Sequence, residues 1–342
     1  MLKIAKERLN EVYAKIAQTQ GLYIPIKKAG EVDYRVWKAD SEVSLETLKT
    51  VKSPKSMFFP QTENMMKFRT QDNNLSVEDM NFEKRDFVLF GVKACDYKAI
   101  EVLDKVFLAD PVDTFYQSRR NATTIVTLAC SKPEESCFCK AFGIDATAPQ
   151  GDATTWLDEN YLYFKANTEK GEKLAEIIKE FAQNGGEAEV QAQQAQTSAI
   201  IDALPYSALD LSRFKPENLN ELFNDSAWEE MSEACLGCGT CTFVCPTCQC
   251  FDIRDFKTSD GILRYRCWDS CMYSDFTLMA HGNSRTTQMQ RFRQRFMHKL
   301  VYYPSQNDGL YSCVGCGRCV NKCPQKLNIV KVIKTLGGKK ND

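Results

Sequence analysis

Apolar positions in the first half of the chain fall into short runs separated by stretches with helical spacing. Leu22-Tyr23-Ile24-Pro25-Ile26, Phe87-Val88-Leu89-Phe90-Gly91-Val92 and Thr124-Ile125-Val126-Thr127-Leu128-Ala129 read as strands, the last two as buried ones. Between them, Ile4, Val12 and Ile16 predict a helix over residues 1–18. Asp96 can cap a second helix whose Ile100, Leu103 and Phe107 share a face, and residues 169–182 repeat that pattern with Leu174, Ile177, Ile178 and Phe181. Alternating strands and helices predict an α/β (or α+β) domain over residues 1–184. Gly185-Gly186-Glu187 and a Gln/Ala-rich run then predict a linker over 185–205. Beyond it, residues 206–342 are expected to form a mainly α-helical domain, with helical stretches at 217–234, 285–300 and 325–336. Arg291, Arg293 and Arg295 interleave with the apolar stripe of the middle stretch. They predict either a solvated face or a docking surface for a redox partner.

Composition changes this picture in one respect. The chain has 342 residues, 43% of them apolar, which suits two globular domains. No run of about 18 apolar residues is present, so no membrane span is expected. The charged amphipathic start predicts no signal peptide and a cytoplasmic location. Sixteen cysteines stand against two histidines, His281 and His298, both read as structural. In a long chain without an export signal, thiolate metal ligation is the better reading than disulfides, and soft sulfur selects iron–sulfur clusters, zinc or copper(I). The net charge of −1 is unevenly spread: from Met231 onward 16 lysines and arginines face 8 acidic residues. Nucleic acid would be one explanation, but a four-thiolate cluster is anionic, and cations around it are the local reason for the excess.

The spacing of the cysteines supports this. Cys235-x2-Cys238-x2-Cys241-x3-Cys245-Pro246 is repeated as Cys313-x2-Cys316-x2-Cys319-x3-Cys323-Pro324. Both match the bacterial ferredoxin run, in which three close cysteines wrap one cube and the fourth reaches the other. One [4Fe–4S] cluster is therefore assigned to Cys235, Cys238, Cys241 and Cys323, and a second to Cys313, Cys316, Cys319 and Cys245. Zinc sites built from two CxxC pairs do not produce two such complete runs. The 67 residues between Cys245 and Cys313 form an insertion with a role of its own.

Two further sets are less determined. Cys95 and Cys130 each end a buried strand, so parallel strands would bring them to one carboxyl edge, with Cys137 and Cys139 in the following loop. Four convergent thiolates there suggest a third [4Fe–4S] cluster; the alternative is four buried, unligated cysteines. Inside the insertion, Cys248, Cys250, Cys267 and Cys271 could bind another cluster, be redox-active, or be buried. No Gly-x-Gly-x-x-Gly and no Walker loop accompanies them.

Taken together, Phe90-Gly-Val-Lys-Ala-Cys-Asp96, Leu128-Ala-Cys130 with Cys137-Phe-Cys139, Cys235 through Cys250, Arg266-Cys-Trp-Asp-Ser-Cys271, His298-Lys299 and Cys313 to Pro324 resemble one family. It is that of the iron–sulfur beta subunit of cytoplasmic sulfhydrogenases (hydrogenase/sulfur reductase), grouped with the corresponding iron–sulfur subunit of anaerobic sulfite reductase. The resemblance covers most of the chain past residue 85; Cys267 departs from it. It implies a non-catalytic electron-transfer subunit of an oxidoreductase complex. Such a subunit passes electrons between a flavin- and NAD(P)-binding partner and a catalytic partner of hydrogenase or sulfite-reductase type. It also implies that the four N-terminal cysteines bind a cluster. The competing expectations are a stand-alone iron–sulfur reductase acting on a small substrate, which needs an open ligand position or a pocket, and a redox sensor, which needs a recognition module.

Overall fold

A computed structural model describes residues 1–71, 74–80 and 85–338. Its strands of three or more residues, in chain order, are β1 (Leu2–Ala5), β2 (Gly21–Lys28), β3 (Glu31–Val36), β4 (Thr62–Gln71), β5 (Asn74–Asp79), β6 (Phe87–Val92), β7 (Thr123–Leu128), β8 (Ala153–Leu157), β9 (Tyr161–Ala166), β10 (Ala182–Asn184), β11 (Phe251–Thr258) and β12 (Gly261–Trp268). Eight of them form one mixed sheet in the order β10-β1-β9-β8-β7-β6-β2-β3. Within it β2, β6, β7 and β8 run parallel. The helices of this half are α1 (Leu9–Thr19), α2 (Ala94–Phe107), α3 (Thr114–Ala122), α4 (Glu169–Ile178) and α5 (Glu187–Asp202).

Both faces of the sheet are covered, which is why β6 and β7 are buried along their whole length and read as continuous apolar runs. Side chains alternate between two cores. Val88, Phe90, Val126 and Leu128 meet Val12, Tyr13 and Ile16 of α1 and Leu174 and Ile178 of α4. Phe87, Leu89 and Ile125 meet Ile100, Leu103 and Phe107 of α2 on the other side. The α/β reading of the N-terminal half holds, with two corrections. The helix expected over 1–18 begins only at Leu9, because Leu2–Ala5 pair as a strand between β9 and β10. The segment expected as a linker contains the 16-residue helix α5. Its Ala/Gln content favours helix as much as it resembles low complexity. Val190, Thr197 and Ile201 are buried, and the first-turn acids Glu187 and Glu189 pair with the Met1 amino group and Lys3.

The C-terminal half is built from short helices: α6 (Leu219–Phe223), α7 (Ala227–Ser232), α8 (Thr240–Phe243), α9 (Gln288–Met297), α10 (Tyr303–Gln306), α11 (Arg318–Lys322) and α12 (Ile329–Gly337). A π-helical turn, His298–Tyr302, joins α9 to α10. Trp228, Phe292, Phe296, Leu300, Ile333 and Leu336 make its core. Thr287 and Gln290 close a reciprocal cap that starts α9.

This half is not helical throughout. The insertion folds as the hairpin β11–β12, and β12 pairs with β4, so a second sheet in the order β11-β12-β4-β5 is drawn from both halves of the chain. Buried Arg266 pins that sheet to the N-terminal half by pairing with Glu63 and with Asp113, the N-cap of α3. Trp268 Nε1 donates to the Phe59 carbonyl at 3.1 Å, and Tyr303 Oη to the Val102 carbonyl at 2.7 Å. Residue 205 therefore does not separate two independent cores.

Candidate metal centres

The parallel register places Val92 opposite Thr127, so the chain leaves β6 at Lys93-Ala94-Cys95 beside the point where β7 ends at Ala129-Cys130. These carboxyl ends, with the Ser136–Cys139 loop, surround a cavity lined by Cys95, Cys130, Cys137 and Cys139. A second cavity is lined by Cys245, Cys313, Cys316 and Cys319, and a third by Cys235, Cys238, Cys241 and Cys323. Each cavity gathers one of the sets of four expected from the sequence, with Cys245 beside the second run and Cys323 beside the first. The three cavities share wall residues. Cys316 and Phe138 line both the N-terminal cavity and the middle one, and Arg295 lines both the middle one and the third.

Contact between the N-terminal loop and the second cysteine run is backbone on backbone. Phe138 N–H donates to the Gly315 carbonyl at 2.9 Å. A Cβ at Gly315 would lie 2.5 Å from Cys139 N, and one at Gly317 2.8 Å from the Ser136 carbonyl carbon. Both glycines have positive φ, +59° and +75°. Glycine is thus required twice over, by conformation and by the approach of the neighbouring loop.

The walls are apolar, with buried cations set into them. Burial pushes the Cys139 and Cys316 thiols up to about 12 and Cys241 up to about 11. As bare thiols these groups resist ionisation, and a bound cationic metal would favour the thiolate there. The cations are placed for the anions that result. Buried Arg295 has no partner for its Nε, its Nη2 donates to the Cys241 carbonyl at 3.5 Å, and the Cys241 and Cys319 sulfurs raise its pKa against the effect of burial. Lys299 donates to Thr247 Oγ1 at 2.8 Å and the Ser312 carbonyl at 2.9 Å. Burial alone would lower its pKa, but the Cys245, Cys248 and Cys313 sulfurs outweigh that and raise it. Arg318 makes a two-pronged pair with Asp96 between Cys316 and Cys95. Lys93 stands beside Cys130 and Cys95, and Lys49 beside Cys137. Gln288 Nε2 donates to Cys235 Sγ at 3.4 Å. A buried guanidinium with an unpartnered Nε, apolar four-sulfur cavities and flanking cations all fit anionic iron–sulfur clusters.

Arg295 is therefore neither on a solvated face nor on a docking surface, unlike the expectation for the three arginines. Its neighbours are occupied elsewhere: Arg293 lies 3.6 Å over the Phe223 ring, and Arg291 bonds Gln288 and the Arg285 carbonyl. The signal was in the helical spacing, because Phe292, Arg295, Phe296 and Lys299 share one face. The insertion set also divides. Arg266 and Trp268 of β12 face inward, so Cys267 between them points to the other side, near Asp252 and Arg254. Cys248, Cys250 and Cys271 stay close to the middle cavity.

His298 is structural. Burial, with Lys299 and Arg285 nearby, lowers it to about 4. Its stabilising neutral state is fully present above the unfolded value near 6.5 and is lost as pH falls toward 4, a difference of about 2 kcal/mol at pH 5. Urea unfolding of the anaerobic protein at pH 7 and pH 5 should show that loss, and His298→Gln should reduce it.

This arrangement defines an iron–sulfur protein of the two-cluster type, and residues 234–327 match the family model of the 4Fe-4S dicluster domain. Such a domain carries two [4Fe–4S] clusters. Over 343 aligned residues the chain is 31% identical to sulfhydrogenase 2 subunit beta of Pyrococcus furiosus, covering 97% of each protein. The chain belongs to the iron–sulfur beta-subunit family of sulfhydrogenases. It is an electron-transfer iron–sulfur subunit, and none of its described helices is long and apolar enough to cross a membrane.

Proposed function

We propose that this chain relays single electrons through three [4Fe–4S] clusters between a flavin- and NAD(P)-binding subunit and a catalytic subunit of hydrogenase or sulfite-reductase type, in the cytoplasm. The ligands are Cys235, Cys238, Cys241 and Cys323 for the outer cluster, Cys313, Cys316, Cys319 and Cys245 for the middle one, and Cys95, Cys130, Cys137 and Cys139 for the N-terminal one. The observation that carries the reading is the sharing of walls: Arg295 between the first two cavities, Cys316 and Phe138 between the second and third. Clusters in these cavities form an unbroken row, with a full thiolate set at each and no open ligand position for a substrate. The outer cluster meets the surface. Cys238 is exposed, and Leu236, Leu278 and Met279 stand out beside that loop or elsewhere on the same half, 65%, 61% and 53% exposed. A relay needs such an end against its partner.

Anaerobically reconstituted protein should hold about 12 irons per chain and give three reducible EPR signals. It should reduce or oxidise dyes without turning over NADH, hydrogen or sulfite alone. About 8 irons per chain would remove the N-terminal cluster from the proposal. A substitution tests the role of the shared cation. Arg295→Gln removes a buried positive charge, which disfavours the extra electron in the reduced clusters. The outer and middle potentials should both fall by roughly 50–100 mV, with iron content unchanged.

A further inference from the structure

The insertion leaves three cysteines beside the middle cavity that the cluster assignments do not use. Cys248 is hydrogen-bonded through its side chain to Cys245, the ligand that crosses from the first run. Cys250 and Cys271 are hydrogen-bonded to one another through their side chains, and the Cys271 backbone N–H also reaches the Cys250 sulfur. The hairpin brings them together. Cys250 precedes β11, Cys271 follows β12, and Asp269 N–H donates to the Cys250 carbonyl at 2.9 Å. Ser270 is fully buried against Thr242, at 2.8 Å between hydroxyls, which turns the chain after β12 back toward Cys250. Lys55, nearly fully buried, donates to the Cys248 carbonyl at 2.9 Å and sits 3.9 Å over the Trp268 ring.

Cys250 and Cys271 line none of the three cavities, each of which already has its four sulfurs. Cys267, which would complete a set of four, faces the other side of β12. A thiol pair in contact has one further chemistry open to it, and a row of one-electron carriers lies next to it.

We propose that Cys250 and Cys271 form a dithiol/disulfide couple that exchanges electrons with the middle cluster by way of Cys248 and Cys245. The proposal rests on the relay reading for its oxidant. In the oxidising direction the two S–H bonds break and one S–S bond forms. Two protons pass to solvent, which both residues partly meet, and two electrons leave one at a time, each reducing one oxidised [4Fe–4S] centre. The reverse consumes two electrons and two protons. The pair thereby holds an electron pair inside a wire whose clusters each hold one.

The test uses the full chain, reconstituted under anaerobic conditions and poised at a series of potentials. Samples are quenched in acid, alkylated under denaturing conditions and mapped by peptide mass spectrometry. A Cys250–Cys271 cross-linked peptide should rise with potential along a two-electron Nernst curve while iron content stays constant. Coulometry should count two electrons beyond one per cluster, and Cys271→Ser and Cys250→Ala should each lose those two with iron unchanged. Both cysteines fully alkylated at every potential in iron-replete protein would overturn the couple. So would loss of about four irons in either variant, which would make the residues cluster ligands. Failure of the relay reading itself would be seen separately, as low iron in the unmodified chain.

Discussion

Cys245→Ala is expected to abolish electron passage between the outer cluster and the N-terminal half while leaving the fold in place. This cysteine belongs by sequence to the first run but lines the cavity of the second, with Cys313, Cys316 and Cys319. In the proposed relay, removing it takes one thiolate from the middle cluster, whose cavity shares walls with both others. Alanine, unlike serine, offers iron no oxygen in its place. Iron content should drop by about four per chain, with the signals of the outer and N-terminal clusters retained. Stopped-flow reduction at the exposed end should then fill only the outer cluster, and re-oxidation from the far end should slow by orders of magnitude. Cys235→Ala provides the contrast. It removes a ligand from the outer cluster, so it should cost that signal and leave the middle and N-terminal centres in exchange with each other. Undiminished electron passage from the exposed end to the N-terminal half in Cys245→Ala would mean that the row of cavities is not the path.

What is legible in the sequence follows from the kind of information each feature needs. The two ferredoxin runs are local: ligand spacing, glycines and the closing proline lie within about a dozen residues each, so Cys235 to Cys245 and Cys313 to Cys323 can be paired without a structure. The buried strands β6 and β7 are equally plain, because coverage on both faces leaves continuous apolar runs. Their parallel adjacency then predicts where Cys95 and Cys130 emerge. The features that escape the sequence mostly involve partners distant along the chain. Leu2–Ala5 is too short to announce itself as a strand, and its pairing partners lie more than 150 residues away in β9 and β10. Helix α5 carries no clear apolar stripe, since it buries only three small or medium side chains against the sheet. The hairpin β11–β12 is hidden because its outer half is exposed on both sides, with Ile253 and Phe256 in solvent, so neither rhythm dominates. Arg295 is misread for a different reason. Residue type groups it with Arg291 and Arg293, although its spacing puts it with Phe292, Phe296 and Lys299. Buried cations of this kind are paired to sulfurs scattered along the chain, and only the fold brings them together.

Gly315→Ala should be among the more damaging single-methyl changes in the protein. The left-handed backbone at Gly315, φ +59°, costs a residue with a Cβ about 1–2 kcal/mol by itself. The added carbon would also press into the backbone of Phe138 and Cys139, not into a side chain that can swing aside. Overpacking against such a wall costs about 1–3 kcal/mol more. Relief requires the two loops to separate, which breaks the Phe138 N–H bond to the Gly315 carbonyl and moves Cys139 away from its three partners. The expected result is a loss of stability of about 3 kcal/mol or more, together with loss of the N-terminal cluster signal and about four irons. Gly309→Ala separates the two contributions. Gly309 has φ +79°, but an added Cβ there meets nothing within 4 Å. That variant should show the conformational cost alone, about 1–2 kcal/mol in anaerobic unfolding, with full iron content and unchanged EPR. If Gly315→Ala behaved like Gly309→Ala, the close approach of the Ser136–Cys139 loop to the second cysteine run would not be holding the N-terminal site together.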